Sequence, residues 1–129
     1  MRVLYLTLLA IFLLSVFTSA YAEFDGNELL RHCNSVIKQE NGGTLSTTEL
    51  VGAAYCNGYI AGFLDSHSID SYVFEKYTQK KLLYCLPNSK IIQFVRVIVK
   101  YLNEHQEKLH NGARMLVMDA LNEAFPCKE

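Results

Sequence analysis

The sequence predicts an all-α fold: a small domain of four helices that form two helical hairpins with two disulfides. Apolar residues recur at intervals of three and four along four stretches of the chain, which is the spacing of a buried helix face. Helix-stopping residues such as Gly42, Gly43 and Pro126 lie between or after these stretches. Four cysteines in 129 residues supply enough thiols for two cross-links in a small domain.

Residues 1–22 have the pattern of a secretory signal peptide. Arg2 precedes a long apolar run, and the Ala-Tyr-Ala that ends the segment fits the small-x-small cleavage pattern. An uncleaved membrane anchor is the alternative, but the apolar run is short for a membrane span. We therefore expect a cleaved signal peptide, export to the periplasm, and a single helical domain over residues 23–129 without a stable membrane anchor.

The first helix is predicted over residues 26–39, with Asp25 or Asn27 as its N-cap. Its apolar stripe consists of Leu29, Leu30, Cys33, Val36 and Ile37. The Asn-Gly-Gly at residues 41–43 then ends the helix, because glycine readily adopts the left-handed conformation that follows a helix.

The second helix is predicted over residues 47–66. Ser46 and Glu49 form a capping box at its start, in which each side chain accepts a hydrogen bond from the other residue's backbone N–H. Small residues recur every fourth position along one side of this helix: Ala54, Gly58 and Gly62. Such a row forms a shallow groove that another helix backbone can approach closely. Two alternatives follow, namely tight packing within the subunit or a contact between two copies in a homodimer.

The third and fourth helices are predicted over residues 90–104 and 107–124. Asn88 or Ser89 is the expected N-cap of the third helix, and Pro126 ends the fourth. The β-branched residues of the third stretch would also suit a strand, but its apolar period fits 3.6 better than 2. The two helices therefore complete a second hairpin.

The stretch 68–85 is the least regular part of the sequence, and we expect a loop that contains a short helix. Tyrosines and one phenylalanine lie in it among acidic and basic residues, a composition common in protein-binding surfaces. The alternative is that some of these rings cover the helical bundle. We name residues 66–84 the tyrosine segment and predict that Tyr72, Phe74 and Tyr77 contact a protein partner.

The four cysteines permit three disulfide connectivities, and hairpin geometry prefers one of them. Cys33 lies about as far before the first interhelix turn as Cys56 lies after it, so a hairpin places them side by side. Cys85 and Cys127 lie symmetrically about the second turn, near residue 106. We therefore predict Cys33–Cys56 and Cys85–Cys127, each worth about 3–4 kcal/mol in the chain-entropy estimate.

The sequence contains no motif for catalysis, phosphate binding or metal binding. Cysteine spacing without a Cys-x-x-Cys pair disfavours zinc, and two disulfides would use every thiol nucleophile. The formal net charge is −1, and the sequence contains no basic patch that would indicate nucleic-acid binding. We therefore expect a protein that is not an enzyme and that uses no metal or cofactor.

Several motifs together resemble the Rap/Tai family of periplasmic immunity proteins. They are GNELLRHC, YCNGYIAGFLD, YCLPNS, IIQFVRVIVKYLNEHQEKLHNGARMLVMDAL and EAFPC, in this order between Phe24 and Cys127. The most specific elements are Cys56, Tyr59, Ile60 and Gly62; Cys85 and Pro87; Gln93; Tyr101 and Leu102; and the closing Phe125, Pro126 and Cys127. His105 and Gln106 stand where the family tends to have His-Pro, which should alter only a turn. The tyrosine segment contains no motif that aligns with the family.

The resemblance implies a small helical protein, often a homodimer, that protects bacteria from peptidoglycan amidase effectors delivered by type VI secretion systems. Such effectors are Cys/His amidases, and protection works by occlusion of their active-site cleft. The main alternative is a small periplasmic chaperone or stress-response protein that binds unfolded clients. A third alternative is an orphan member of the same family with another protein partner.

Overall fold

The computed structural model describes residues 24–78 and 82–127, and this part of the chain folds into four α-helices. They are α1 (Gly26–Glu40), α2 (Thr47–Val73), α3 (Ile91–Glu104) and α4 (Ala113–Ala124). A π-helical turn, Phe74–Thr78, follows α2, and a 3-10 turn, Gln106–Lys108, precedes α4. The predicted signal peptide, residues 1–22, lies outside the described residues.

The helices pack as two hairpins, as the sequence predicts. Helix α1 packs along α2, α3 packs along α4, and α1 also contacts α3, which joins the two hairpins. Fully buried aliphatic side chains from all four helices fill the space between them: Leu29, Ile60, Val95, Ile98, Leu102, Leu116, Val117 and Leu121. The all-α class is therefore confirmed.

Both predicted disulfides are present. Cys33–Cys56 joins α1 to α2, and both cysteines are fully buried in the core. Cys85–Cys127 joins the chain after α2 to the chain after α4, at the edge of the molecule. Both disulfides therefore join the cysteines that the symmetry of the sequence about each turn predicts.

The first hairpin begins and turns at the predicted signals. The Asp25 carboxylate accepts the Glu28 N–H at 2.9 Å, so Asp25 is the N-cap of α1. Gly42 follows α1 with φ of 79°, a conformation that glycine adopts without steric cost. At the start of α2, the Ser46 N–H donates to Glu49 Oε2 at 2.8 Å and the Glu49 N–H donates to Ser46 Oγ at 3.3 Å. The capping box is therefore confirmed.

Helix α2 is longer than the predicted span of 47–66. It continues to Val73 and then widens into the π-helical turn, so the predicted end of the helix near residue 66, followed by a loop with a short helix, was wrong for this part of the tyrosine segment. The sequence contains no glycine or proline between Gly62 and Pro87 that would stop a helix. Ser68 and Ser71 donate their hydroxyls to the carbonyls four residues earlier, at 3.1 and 2.8 Å, so both are accommodated within the helix.

Helix α4 begins later than predicted, at Ala113 rather than near residue 107. The backbone before it pairs instead with the chain that leads into α1. The Gly26 N–H donates to the Asn111 carbonyl at 3.1 Å, and the Ala113 N–H donates to the Phe24 carbonyl at 2.8 Å. This tertiary pairing takes the place of the first turns of the predicted helix.

Helix α3 begins at Ile91, with Lys90 as its N-cap and no side-chain capping bond, so the predicted caps Asn88 and Ser89 were wrong. Within the described ranges, no helix combines the length and the hydropathy needed to cross a bilayer.

Candidate protein-binding surface

The three predicted contact residues do not occupy equivalent positions. Tyr72 lies on the last turn of α2 and is 58% exposed, and Tyr77 lies on the π-helical turn and is 68% exposed. Phe74 is half-buried and lines a cleft on another side of the same turn. The structure therefore brings Tyr72 and Tyr77 together on the outside and turns Phe74 toward the bundle.

Lys76 connects the two exposed tyrosines. Its ammonium group donates to the Tyr72 hydroxyl at 2.8 Å and lies 5.1 Å from the centre of that ring. The same group lies 5.4 Å from the centre of the Tyr77 ring. These cation–π contacts order two large rings around one charge while both rings stay open to solvent.

A cleft of about 350 Å³ lies between the end of α2 and the chain that returns after it. Its walls are mostly apolar and aromatic, and they comprise Phe63, His67, Phe74, Tyr84 and Met118, with Asp70 and Leu83 also lining it. This volume is within the range of sites that accept a large side chain or a small ligand. The cleft therefore places a concave apolar surface beside the exposed tyrosines.

The His67 and Tyr84 rings hold the two walls of this cleft together. They stack with centroids 4.3 Å apart and an interplanar angle of 16°, and Tyr84 is only 5% exposed. Burial lowers the pKa of His67, although the nearby Asp70 charge opposes that effect. Burial, reinforced by Asp70, raises the pKa of Tyr84. Both rings are thus favoured in their neutral forms, which suits a stacked contact, and Tyr84 is a ring that covers the bundle.

The exposed large apolar side chains of the described residues are concentrated on α2 and the chain that follows it. They are Leu50, Val51, Tyr55, Ile69, Tyr72, Val73, Tyr77 and Leu83, whereas Met115 on α4 lies outside this region. We name Ile69, Tyr72, Val73, Tyr77 and Leu83 the end patch. These five side chains extend the predicted contact set from two exposed tyrosines to a surface.

The prediction of a loop with a short helix over residues 68–85 does not identify Ile69, Val73 and Leu83 as exposed contact residues. The helical period of the sequence is the signal that could have identified Ile69 and Val73. Ile69, Tyr72 and Val73 are separated by three and four residues, so they share one helix face once α2 is extended. Leu83 follows the undescribed residues 79–81 and carries no periodic signal.

The small-residue row lies on the exposed side of α2. A Cβ atom built at Gly58 or Gly62 would have no atom of the described chain within 4 Å, and Ala54 is exposed. The alternative of tight packing within the subunit is therefore wrong, because the groove faces solvent. The alternative of a contact between two copies stays a prediction.

Among the described residues, no group of three or more His, Cys, Asp or Glu side chains is arranged to hold a metal ion. All four cysteines are in disulfides. The features that stand out in the described part are thus an exposed apolar patch and an apolar cleft, which are features of surfaces that bind proteins.

The comparison with known proteins agrees with this type of surface. The family model for Rap1a immunity proteins matches residues 25–127. No curated protein and no solved structure gives a significant match. The matched region includes both hairpins, both disulfides and the end patch, so the chain belongs to the family of Rap1a immunity proteins, which act against secreted effector proteins.

Proposed function

We propose that the protein is a periplasmic immunity protein that binds a peptidoglycan amidase effector of a type VI secretion system and occludes its active-site cleft. The signal-peptide pattern of residues 1–22 supports export, and the two disulfides suit an oxidising compartment. Family membership supports the effector as the partner. The amidase is the class of effector that the resemblance of the sequence motifs implies.

The end patch is the observation that carries this proposal. Ile69 is 65% exposed, and Leu83 is 64% exposed, close to the values for Tyr72 and Tyr77. Exposed apolar side chains concentrated in one region mark interaction sites, and tyrosines are among the residues that contribute most to binding energy. The patch lies at the end of the longest helix and on the chain that follows it, and its Leu83 also lines the cleft, so an exposed and a concave apolar surface adjoin each other there.

The surface is also held in place before binding. The His67–Tyr84 stack and the Cys85–Cys127 disulfide fix the chain that returns from the patch, and the Lys76 contacts order the two tyrosines. An inhibitor with nanomolar affinity needs about −12 kcal/mol of binding free energy. Interfaces that reach this value bury roughly 800 Å² per partner, and a rigid surface loses less entropy when it binds.

Alanine substitutions in the end patch test the proposal. We expect Tyr72→Ala with Tyr77→Ala to weaken inhibition of the cognate amidase by about 100-fold or more, because exposed aromatic anchors carry much of the binding energy. Neither side chain is in the core, so the unfolding midpoint should stay within a few degrees. The measurement is the inhibition constant in a peptidoglycan hydrolysis assay.

Met115→Ala is the matched control, since Met115 is 48% exposed on the surface of α4. It should inhibit as well as the natural sequence. Full inhibition by the Tyr72/Tyr77 double variant would remove the end patch from the interface. Binding to another exported protein, without binding to any amidase, would identify an orphan family member.

Phe74→Ala reports on the cleft rather than on the end patch. Phe74 is half-buried and lines the cleft together with Phe63 and Met118. Its loss should weaken both inhibition and stability, the latter by about 1–3 kcal/mol, because a partly buried ring is removed. Lost inhibition with unchanged stability would instead place Phe74 in direct contact with the partner.

We propose in addition that a second copy covers the row Ala54, Gly58 and Gly62. The row is open to solvent, and the exposed Val51 and Tyr55 lie beside it on the same helix face. Gly58→Ala should stabilise the isolated subunit by about 1 kcal/mol through helix propensity. Gly58→Leu should separate a dimer into monomers in light scattering, whereas a protein that is already monomeric would contradict the proposal.

A further inference from the structure

The two disulfides differ in how easily a reductant reaches them. Cys33 and Cys56 are both 0% exposed, in the core between α1 and α2. Cys85 is exposed and Cys127 is half-buried. A thiolate must reach a sulfur atom to open a disulfide, so access controls the rate of attack. Cys85–Cys127 is therefore the bond that a small dithiol meets first.

This accessible bond holds the connection that follows α2 and the π-helical turn, and that connection contains one residue of the end patch, Leu83. Cys85 lies between the π-helical turn, which ends at Thr78, and the start of α3 at Ile91. The described residues of this connection have no helix of their own, and Cys127 ties them to the end of α4. The bond thus fixes the connection near its middle, close to Leu83 of the end patch.

The remaining ties at this place are few and non-covalent. The Cys85 N–H donates to the Phe125 carbonyl at 2.9 Å, and Tyr84 and Pro126 form an isolated β-bridge. The Tyr84 ring also stacks on His67. By contrast, the helical bundle has its own buried core and its own buried bond, Cys33–Cys56. Reduction of the accessible bond therefore acts on the binding surface more than on the fold.

We propose that Cys85–Cys127 is a redox-sensitive lock that keeps the end patch in its binding conformation, and that a dithiol opens it while Cys33–Cys56 stays closed. One thiolate of the dithiol attacks a sulfur of the bond, forms a mixed disulfide and releases the other cysteine as a thiolate. The second thiol of the reductant then displaces the remaining cysteine. The protein gains two electrons and two protons as two thiols, and the dithiol leaves as its own disulfide.

The lock is tested on the oxidised, signal-cleaved protein with dithiothreitol as the probe. After timed exposure, free thiols are alkylated and located by peptide mass spectrometry. Cys85 and Cys127 should be alkylated at least about tenfold faster than Cys33 and Cys56. Far-UV circular dichroism should keep its helical signal, while protease cleavage within residues 82–90 should accelerate. Equal rates at the two bonds, or unchanged cleavage after selective reduction, would overturn the lock.

The effect on binding rests on the proposed function and is measured separately. Cys85→Ser with Cys127→Ser should keep the helical signal and weaken amidase binding by about tenfold or more, through loss of preorganisation. Unchanged affinity of this double variant would overturn the lock. If the oxidised natural sequence binds no amidase at all, the proposed function fails, whereas the alkylation and cleavage rates still decide whether the lock exists.

Discussion

His32 and Gly52 meet where α1 crosses α2, and the contact leaves no space for a larger residue. A Cβ atom built at Gly52 would lie 2.6 Å from His32 Nδ1, which is well inside van der Waals contact. The His32 ring forms a cluster with the rings of Phe24 and Tyr55, at centroid distances of 5.9 and 5.2 Å, and those two rings are 4.9 Å apart. The glycine of α2 that permits a close approach is therefore Gly52, and not Gly58 or Gly62.

A double-mutant cycle tests this contact. Gly52→Ala should destabilise the protein by about 1–2 kcal/mol, because overpacking outweighs the gain of about 1 kcal/mol in helix propensity. In a His32→Ala background the clash is gone, so Gly52→Ala should become stabilising. Urea unfolding of the four proteins provides the measurement. The same sign for Gly52→Ala in both backgrounds would show that the ring does not limit this position.

The histidines His32 and His67 are predicted to make stability depend on pH. Burial is the largest cause that lowers the pKa of both histidines. The Arg31 charge lowers the pKa of His32 further. The Asp70 charge partly opposes the lowering of the His67 pKa. An unfolded histidine has a pKa of about 6.5, so the unfolded chain takes up protons first as pH falls. The contribution of the two neutral rings is complete above about pH 6.5 and is lost as pH falls toward their lower folded-state pKa values.

The urea midpoint should therefore fall between about pH 7 and pH 5.5 in the natural sequence. The variant with His32→Gln and His67→Gln should show a smaller fall over the same range, since glutamine does not titrate. An equal fall in both proteins would assign the pH dependence to other groups.

Helix α2 carries two different faces along its length. One face is buried and includes Gly52, Ala53, Cys56 and Ile60, of which Gly52 and Cys56 contact α1. The opposite face holds the small-residue row and leads to the end patch. The sequence predicts the start of this helix well, because capping is local. It does not predict the end, because no local signal stops the helix and tertiary contacts of His67 and Phe74 decide how far it continues.

The capping box ties the start of α2 to the end of α1. The Glu49 carboxylate accepts hydrogen bonds from the Lys38 ammonium group at 2.7 Å and from the Ser46 backbone N–H. The bond from Lys38 is the largest cause, and the bonds from Ser46 the next, that lower the pKa of Glu49 to about 2. Ser46→Ala should cost about 1 kcal/mol in the free energy of unfolding. Thr47→Ala, one residue later on the exposed first turn, is the control and should change it little.

The pH dependence of this cap has a defined sign. The pKa of Glu49 is lower in the folded protein, so its contribution is present above about pH 4.5 and is lost as pH falls toward 2. Glu49→Gln should remove this part of the acid sensitivity, measured as the change in urea midpoint between about pH 5 and pH 3. An unaltered acid sensitivity would mean that the carboxylate is not bonded in solution as the structure places it.

At the scale of the whole molecule, the two hairpins and their disulfides follow from the sequence because they depend on periodicity and symmetry about a turn. The pairing of Phe24 and Gly26 with Asn111 and Ala113 does not, because it joins residues that are far apart in the chain and carries no pattern of its own. Of the candidate site, Tyr72 and Tyr77 were predictable from composition. The separation of Phe74 from these two tyrosines was not predictable from composition, because it depends on the geometry of the π-helical turn.

The core and the end of α2 have different roles in this structure. The buried core and Cys33–Cys56 stabilise the bundle, whereas the end of α2 carries apolar side chains that are exposed to solvent and are not part of the core. We expect a partner that binds through that end to leave the α4 surface around Met115 uncovered. The proposed function therefore predicts which residues a cognate amidase would cover.

Hydrogen exchange of the oxidised protein, alone and in complex with its cognate amidase, tests that claim most directly. We predict that amides of residues 66–78 exchange at least about tenfold more slowly in the complex, while those of α4 keep their rates. Protection confined to α3 and α4, in a complex that is fully inhibited and with residues 66–78 unaltered, would contradict the account.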